Sequence, residues 1–286
     1  MKNTLWWFAL IALLGGTAAG FYSIWQHEGE PLSPRVRTEP GSAPRTGLGQ
    51  PQDDEPQIRH PVEQVQAQAD AQPAPEPAVA EEPLPALDES DAAIQASLAS
   101  LMGEAPVTEF FFAQHLIRRI VSSVDNLTAD KVPLKIRAVR RVAGPFLIAE
   151  EADGYLINPK NYARYTPYVR LAEAVDTGSL VAAYLHFYPL FQQAYTDLGY
   201  PSGYFNDRLV EVIDDLLAAP AVQGPIRLVR PRVLYQFADP ALEARSGGQK
   251  ILLRMGHENA ARIKTVLREI RRQLTGQAAQ QELKTP

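Results

Sequence analysis

The hydrophobic pattern of the chain begins with a long uncharged run from Leu5 to Ile24. About 20 consecutive apolar residues are enough for a helix to cross the hydrocarbon core of a bilayer. Aromatic rings, which favour the bilayer interfaces, lie at both ends of the run, with Trp6 at one end and Trp25 at the other. The pattern therefore predicts a transmembrane anchor over residues 1–26.

Apolar residues recur at helical spacing through the second half of the chain. The clearest case is 206–218, where Leu209, Val212 and Ile213 fall on one face of a helix. Pro189 should kink or divide the helix that contains it. The spacing predicts helices over 88–102, 108–124, 160–175, 178–198, 206–218 and 258–274.

Short β-like runs interrupt the helical pattern. Residues 145–149 and 155–157 flank the turn residues Asp153 and Gly154, which predicts a hairpin. Residues 226–229 and 233–237 follow later in the chain. Because Pro225 and Pro231 bracket the first of these runs, we expect edge strands or a loose ribbon there.

These patterns predict a mainly α (α+β) fold class. An N-terminal transmembrane helix would lead through a disordered linker to a single helical domain with a small antiparallel β element. The predicted boundaries are 1–26 for the anchor, 27–83 for the linker, 84–275 for the globular domain and 276–286 for a disordered tail.

The composition of residues 27–83 supports a spacer rather than a folded unit. This segment holds 11 of the 24 prolines in the chain, together with many glutamine, alanine and glutamate residues. Its 11 acidic and 4 basic residues give a net charge of −7, whereas the whole chain carries −5. A segment with so few large apolar residues cannot offset the entropy of ordering, so we expect a disordered, polyproline-like tether.

Charges beside the hydrophobic run predict how the anchor is oriented. Lys2 precedes the run and no acidic residue opposes it, which favours a cytoplasmic amino terminus. The chain would then be a single-pass protein of the bacterial inner membrane with its C-terminal domain in the periplasm. A cleaved signal peptide is the alternative, because Leu5–Leu14 could form an h-region before the small residues Thr17–Gly20.

Two glycines in the predicted anchor, Gly16 and Gly20, form a G-x-x-x-G pair. Small residues at this spacing allow two transmembrane helices to approach closely. They predict transmembrane packing into a homodimer, although small residues also commonly end a hydrophobic helix.

Metal and cofactor chemistry finds no support in the sequence. The chain contains no cysteine, and its five histidines are scattered, none with a second ligand three or four residues away that completes a known metal-binding pattern. Ser246 and Lys250 lack the spacing of known nucleophilic motifs. We therefore expect no metal and no cofactor.

The most suggestive polar cluster lies between Tyr195 and Asp215, around a glycine-proline turn. Tyrosine, asparagine and arginine side chains of this kind are common where a protein holds a sugar or a peptide. The alternative is a solvated helix face whose early acids are favoured by the helix dipole. The candidate binding residues are Tyr200, Tyr204, Asn206, Asp207 and Arg208.

Two acids of the same helix are low-ranking candidates for catalysis. Asp207 and Glu211 fall on one side of the predicted helix, as paired carboxylates that act on a glycan would. This reading would make the protein a hydrolase or lyase of cell-wall glycan or peptide.

Basic residues line one face of the last predicted helix, including Arg262, Lys264 and Arg268. Such a stripe could meet an anionic partner. Because the predicted location lies outside the cytoplasm, we expect no nucleic acid partner.

Long stretches of the chain resemble a bacterial domain-of-unknown-function family of membrane-anchored proteins. The stretches that carry the resemblance are LPALDESD at Leu84–Asp91, NYARYTPYVRLAEAVD at Asn161–Asp176, GYFNDRLVEVIDDLL at Gly203–Leu217, GPIRLVRPRVLYQFADP at Gly224–Pro240 and GQKILLRMG at Gly248–Gly256. The resemblance implies a single amino-terminal span, a proline-rich spacer and this domain. It brings no activity, substrate or catalytic residue.

Together these features predict a membrane-anchored cell-envelope protein that acts as a binding or scaffold module. Its expected partners are the inner membrane and an envelope protein or the cell wall. The alternative is the wall hydrolase or lyase described above.

Overall fold

A computed structural model describes residues 57–62, 83–152 and 154–282, with side chains as far as residue 276. The predicted anchor, Gly16 and Gly20, and most of the predicted linker lie outside the described residues. The described part of the chain is mainly helical with one small antiparallel sheet, as the sequence predicts.

Ten α-helices lie in the described residues. They are α1 (Asp91–Met102), α2 (Glu104–Phe110), α3 (Leu116–Asp125), α4 (Lys160–Ala174), α5 (Thr177–His186), α6 (Tyr188–Asp197), α7 (Phe205–Leu217), α8 (Pro240–Glu243), α9 (Gly247–Arg254) and α10 (His257–Glu282). Short 3-10 turns occupy Leu87–Glu89, Asn126–Thr128 and Leu134–Ile136.

The single helix predicted over 108–124 is wrong, because the chain breaks between α2 and α3. Phe111 leaves the helix to form a β-bridge with Val139, and His115 takes a left-handed conformation with φ of 52°. The carboxylate of Asp91 accepts the N–H groups of His115 at 2.7 Å and Leu116 at 2.8 Å. A distant acid thus caps the start of α3, which periodicity alone cannot indicate.

Proline divides the next predicted helix, as expected. Residues 178–198 form α5 and α6, which Phe187 separates. Pro189 lies at the start of α6, where its missing N–H has no helical partner to lose. The α7 helix matches its prediction within one residue at each end.

Four strands form the sheet: β1 (Ile148–Glu151), β2 (Gly154–Ile157), β3 (Arg227–Val229) and β4 (Gln236–Phe237). The predicted hairpin is confirmed as the antiparallel pair of β1 and β2. The strand order is β1-β2-β3-β4, so β3 has a neighbour on both sides and is not the predicted edge strand. Pro225 and Pro231 lie just outside β3, and therefore they remove no hydrogen-bond donor from its ladder.

The long helix α10 lies against α4, α5 and α7 and closes the main hydrophobic core. Its apolar stripe is almost fully buried at Ile263, Leu267 and Ile270. Some side chains of the opposite, basic face of α10 form contacts within the domain. Arg262 pairs with Glu173, and the Lys264 ammonium donates to the carbonyls of Leu217 and Ala219.

The helix α5 begins with an aspartate cap that predicts a pH-dependent contribution to stability. The N–H of Ser179 donates to Asp176 Oδ1 at 2.9 Å, and this bond, followed by that of the Ser179 hydroxyl, lowers the pKa of Asp176. Because the pKa of Asp176 is lower in the folded state than its unfolded value of about 3.9, the charged carboxylate stabilises the fold at pH values above the unfolded pKa. This stabilisation is lost as the pH falls through the folded pKa.

We expect Asp176→Ala to reduce the free energy of unfolding by about 1 kcal/mol at pH 7, since the cap is lost. The difference from the parent should shrink in strong acid. Urea unfolding followed by circular dichroism at both pH values measures it, with the exposed Asp130→Ala as control. A loss that is equally large in acid would contradict the role of the charged carboxylate.

Candidate functional site

The polar cluster that the sequence singles out lies at the beginning of α7. The loop before this helix is held by Gln192 of α6, whose Oε1 accepts the Phe205 N–H at 2.8 Å and whose Nε2 donates to the Gly203 carbonyl at 2.7 Å. A Cβ at Gly203 would lie 2.7 Å from Cε1 of Tyr195, so only glycine fits this approach. The loop is therefore fixed, and with it the direction in which Tyr204, Asn206 and Asp207 point.

Asn206 is completely buried and its amide has a defined orientation. Its Oδ1 accepts the hydroxyl of Tyr184 at 3.2 Å, which leaves the amide nitrogen free to donate elsewhere. Burial, and after it the neighbouring Tyr204 and Asp207, raises the pKa of Tyr184 well above its ordinary value. The Tyr184 hydroxyl consequently stays protonated and remains a donor to Asn206 at neutral pH.

Six residues of the predicted linker, 57–62, lie against these side chains. The N–H groups of Arg59 and His60 both donate to the carboxylate of Asp207, at 2.9 Å to Oδ2 and 2.7 Å to Oδ1. Successive backbone N–H groups that converge on one anion form a concave anion-binding arrangement. Hydrogen bonds to a charged acceptor are about twice as strong as neutral ones.

Two more main-chain groups of the segment are bound by the same site. Asn206 Nδ2 donates to the carbonyl of His60 at 2.9 Å, and the hydroxyl of Tyr204 accepts the N–H of Val62 at 2.5 Å. The ring of Tyr204 is held 5.6 Å from that of Tyr188 in the core. Three side chains of the site therefore bind four main-chain groups of a segment that bends at Arg59 and His60.

The side chains of the segment contribute much less than its backbone. Ile58 and Arg59 are exposed, whereas Val62 packs against the edge of the main core. Pro61, which has no N–H, lies between the donors of His60 and Val62. The site therefore binds mainly the backbone of the segment. An apolar contact of Val62, the branched residue after Pro61, adds to these main-chain hydrogen bonds.

Arg208 and Tyr200, the other two predicted binding residues, face a different partner. The Arg208 guanidinium donates to Asp125 Oδ1 at 2.9 Å, to the Asp125 carbonyl at 2.7 Å and to Thr128 Oγ1 at 2.7 Å. The Tyr200 hydroxyl donates to Asp125 Oδ2 at 3.2 Å. Burial alone would lower the pKa of Arg208, but Asp125 and Glu211 outweigh it and raise that pKa. These residues tie α7 to the end of α3.

The two candidate catalytic acids have unlike surroundings. Asp207 is 9% exposed and both of its oxygens accept backbone N–H groups. The side chain of Glu211 is 54% exposed and pairs with Arg208 at 2.9 Å. The assignment of these acids as a catalytic pair stays a prediction.

A second polar cluster, which the sequence reading did not connect, joins α7 to α9. The Ser246 hydroxyl donates to Asp215 Oδ2 at 2.6 Å, and Gln249 Nε2 donates to Asp215 Oδ1 at 2.9 Å. Ser246 also caps α9 by accepting the Gln249 N–H at 3.1 Å. The available signal was a serine three residues before a glutamine, Ser246 and Gln249, but the acidic partner of Ser246 lies 31 residues earlier.

An open groove of about 1130 Å³ lies elsewhere, between the start of α4, the start of α10 and the loop 219–226. None of the five predicted binding residues lines it.

Within the part of the chain that the structure describes, no group of three or more metal-ligating side chains occurs. Across the same residues, no helix is long and apolar enough to span a membrane.

The docking of residues 57–62 at the start of α7 is the contact that sequence reasoning missed. The composition of this segment matches the rest of the spacer, and its partners follow about 145 residues later in the chain. The available signal was Ile58 and Val62, two branched apolar residues in a segment dominated by proline, glutamine and acids.

Comparison with known proteins places the domain but assigns it no activity. A family model described as "Protein of unknown function (DUF3014)" matches residues 116–271, which is more than half of the chain. This range runs from α3 into α10 and contains the whole site at the start of α7. No curated protein and no solved structure matches the chain. The chain belongs to the family DUF3014.

Proposed function

We propose that the domain is a binding module that holds a polypeptide segment, bent where it meets Asp207, at Tyr204, Asn206 and Asp207. The observation that carries the proposal is the set of hydrogen bonds from these side chains to the main chain of Arg59, His60 and Val62. Recognition through the main chain suits a module that accepts segments of varied sequence, because every residue except proline offers the same N–H and C=O groups.

The site is built in advance of its ligand, which supports a role in binding. Tyr184 fixes the Asn206 amide, and Gln192 fixes the loop that carries Tyr204. Asp207 lies in the first turn of α7, where the helix dipole favours its negative charge. A preorganised site loses little conformational freedom when a segment binds.

The predicted anchor and spacer indicate where in the cell the module would act, and we include this location in the proposal. The uncharged run Leu5–Ile24 would hold the chain in the inner membrane, and the domain would act in the periplasm. Protease added to spheroplasts should then digest the domain while the membrane stays intact. Full protection of the domain until the cells are lysed would contradict this location.

Binding can be tested on the full chain in detergent once its own segment is disabled. Arg59→Pro and His60→Pro together remove both N–H groups that Asp207 accepts. We expect this variant to bind a fluorescein-labelled peptide that spans residues 55–64, as measured by fluorescence anisotropy. Adding Asp207→Asn should weaken binding at least about tenfold, because two hydrogen bonds to a charged acceptor are impaired.

The matched control is Glu211→Gln, which neutralises an acid one turn further along α7 whose side chain pairs with Arg208. It should leave the affinity of the disabled variant for the peptide unchanged. The proposal fails if the disabled variant does not bind the peptide, or if Asp207→Asn and Glu211→Gln weaken binding equally.

A further inference from the structure

We infer that residues 57–62 are a built-in competitor, so that a partner's proline-containing segment enters the site only by displacing them. This inference rests on the proposed function, because it concerns the same site. It adds that the internal segment limits the access of partners to the site. It also specifies the kind of partner segment that can replace the internal one.

Occupation by the internal segment and by a partner are mutually exclusive on geometric grounds. Both carboxylate oxygens of Asp207 accept N–H groups of the internal segment. The Asn206 amide and the Tyr204 hydroxyl are engaged by His60 and Val62. A second segment cannot make these bonds until the first has left them.

Covalent connection favours the internal segment. Only the 20 residues 63–82 separate Val62 from Pro83, where the described domain begins. A short connection of this kind gives a tethered ligand an effective concentration on the order of 1 mM. If the segment is docked for nine-tenths of the time, the site offers about one tenth of its intrinsic affinity to a partner.

The contacts also indicate which segments can compete. Two successive residues must supply N–H groups to Asp207, the next position needs none, and the following one must donate to Tyr204. Proline fits the third position without losing a bond, and its fixed φ and the restriction that it places on the preceding residue reduce the entropy lost on docking. A branched apolar residue then matches the contact that Val62 makes with the core.

The experiment compares three full-length chains in detergent with the same labelled peptide, residues 55–64. They are the parent, the Arg59→Pro/His60→Pro variant, and the Arg59→Ala/His60→Ala variant, which loses the same side chains but keeps both N–H groups. We expect the parent and the alanine variant to bind at least about tenfold more weakly than the proline variant.

Hydrogen exchange gives a second readout of displacement. In the parent chain the fragment containing Arg59, His60 and Val62 should exchange slowly, and saturating unlabelled peptide should accelerate its exchange. A control peptide with proline in place of both Arg59 and His60 should not bind, and it should not accelerate the exchange of this fragment.

The outcomes separate this inference from the proposed function. If the proline variant and the parent bind the peptide within about twofold of each other, the segment is no competitor, although the site still binds polypeptides. If none of the three chains binds the peptide, the proposed function fails and this inference fails with it. Unchanged exchange of the internal fragment in the presence of bound peptide would also overturn the inference.

Discussion

Gly256→Ala is expected to reduce the free energy of unfolding by about 3 kcal/mol. Gly256 has a φ of +85° and joins α9 to α10, and a Cβ there would lie 2.7 Å from Cγ of the Tyr162 ring. A left-handed conformation costs an ordinary residue about 1–2 kcal/mol, and overpacking adds about 1–3 kcal/mol. Urea unfolding of the chain in detergent, followed by circular dichroism at 222 nm, reports on this mainly helical domain.

Gly144→Ala is the control that separates the two causes. Gly144 also has a positive φ, +77°, but apart from its chain neighbours none of the described residues has a heavy atom within 4 Å of the position its Cβ would occupy. Its substitution should cost only the conformational part, about 1 kcal/mol. Equal losses for the two variants would show that Tyr162 moves aside and that packing at this junction is not restrictive.

Arg208→Met is expected to reduce the free energy of unfolding by about 3 kcal/mol, because it leaves the Asp125 carboxylate without its cation. In this pair the side chains of Arg208 and Asp125 are only 18% and 13% exposed. Removing one partner of a buried ion pair typically costs about 3–5 kcal/mol, since the remaining charge stays poorly solvated. The same urea titration measures the loss.

Arg271→Met provides the matched surface control. Arg271 pairs with Asp214 of the same helix α7, but these side chains are 40% and 48% exposed. Exposed pairs contribute at most about 1 kcal/mol, so this variant should be nearly as stable as the parent. Asp125→Asn combined with Arg208→Met should recover part of the loss, because no buried unpaired charge then remains at this position, and Glu211, which also loses its partner, is 54% exposed. A loss of stability no larger for Arg208→Met than for Arg271→Met would contradict this view of α7.

Two neighbouring residues of α7, Asp207 and Arg208, have different contacts although the sequence placed them in one candidate cluster. Asp207 and Arg208 are adjacent, yet Asp207 faces the segment 57–62 and Arg208 faces Asp125. Substitution at Asp207 is therefore expected to change peptide binding, and substitution at Arg208 to change stability. On a helix, consecutive side chains point about 100° apart, so neighbours in sequence readily serve different surfaces.

The family match and the docked segment together suggest how the module is organised. The matched range 116–271 contains Tyr184, Tyr204, Asn206 and Asp207, whereas residues 57–62 lie outside it. The site thus belongs to the family domain, and the segment that fills it here comes from the preceding spacer. A comparison of peptide binding between chains with different spacers would extend the test of displacement.

The amphipathic periodicity of the sequence determined most of the helical framework. The α7 helix and the division of α5 from α6 were predictable because apolar spacing and proline act within a few residues. The hairpin of β1 and β2 was predictable for the same reason. The acidic and aromatic cluster at the start of α7 was also visible, since its members are close in sequence.

Features that depend on distant partners became visible in the folded chain alone. Asp91 caps α3 from 25 residues away, and β3 becomes an inner strand because β2 and β4 flank it. Likewise Tyr204, Asn206 and Asp207 meet the backbone of residues 59–62 across more than 140 positions. Local patterns record what one segment favours by itself, whereas hydrogen bonds between remote segments follow from how the whole chain packs. Local periodicity was therefore enough for most of the helices and for the candidate residues, whereas packing brought Tyr204, Asn206 and Asp207 together with residues 59–62.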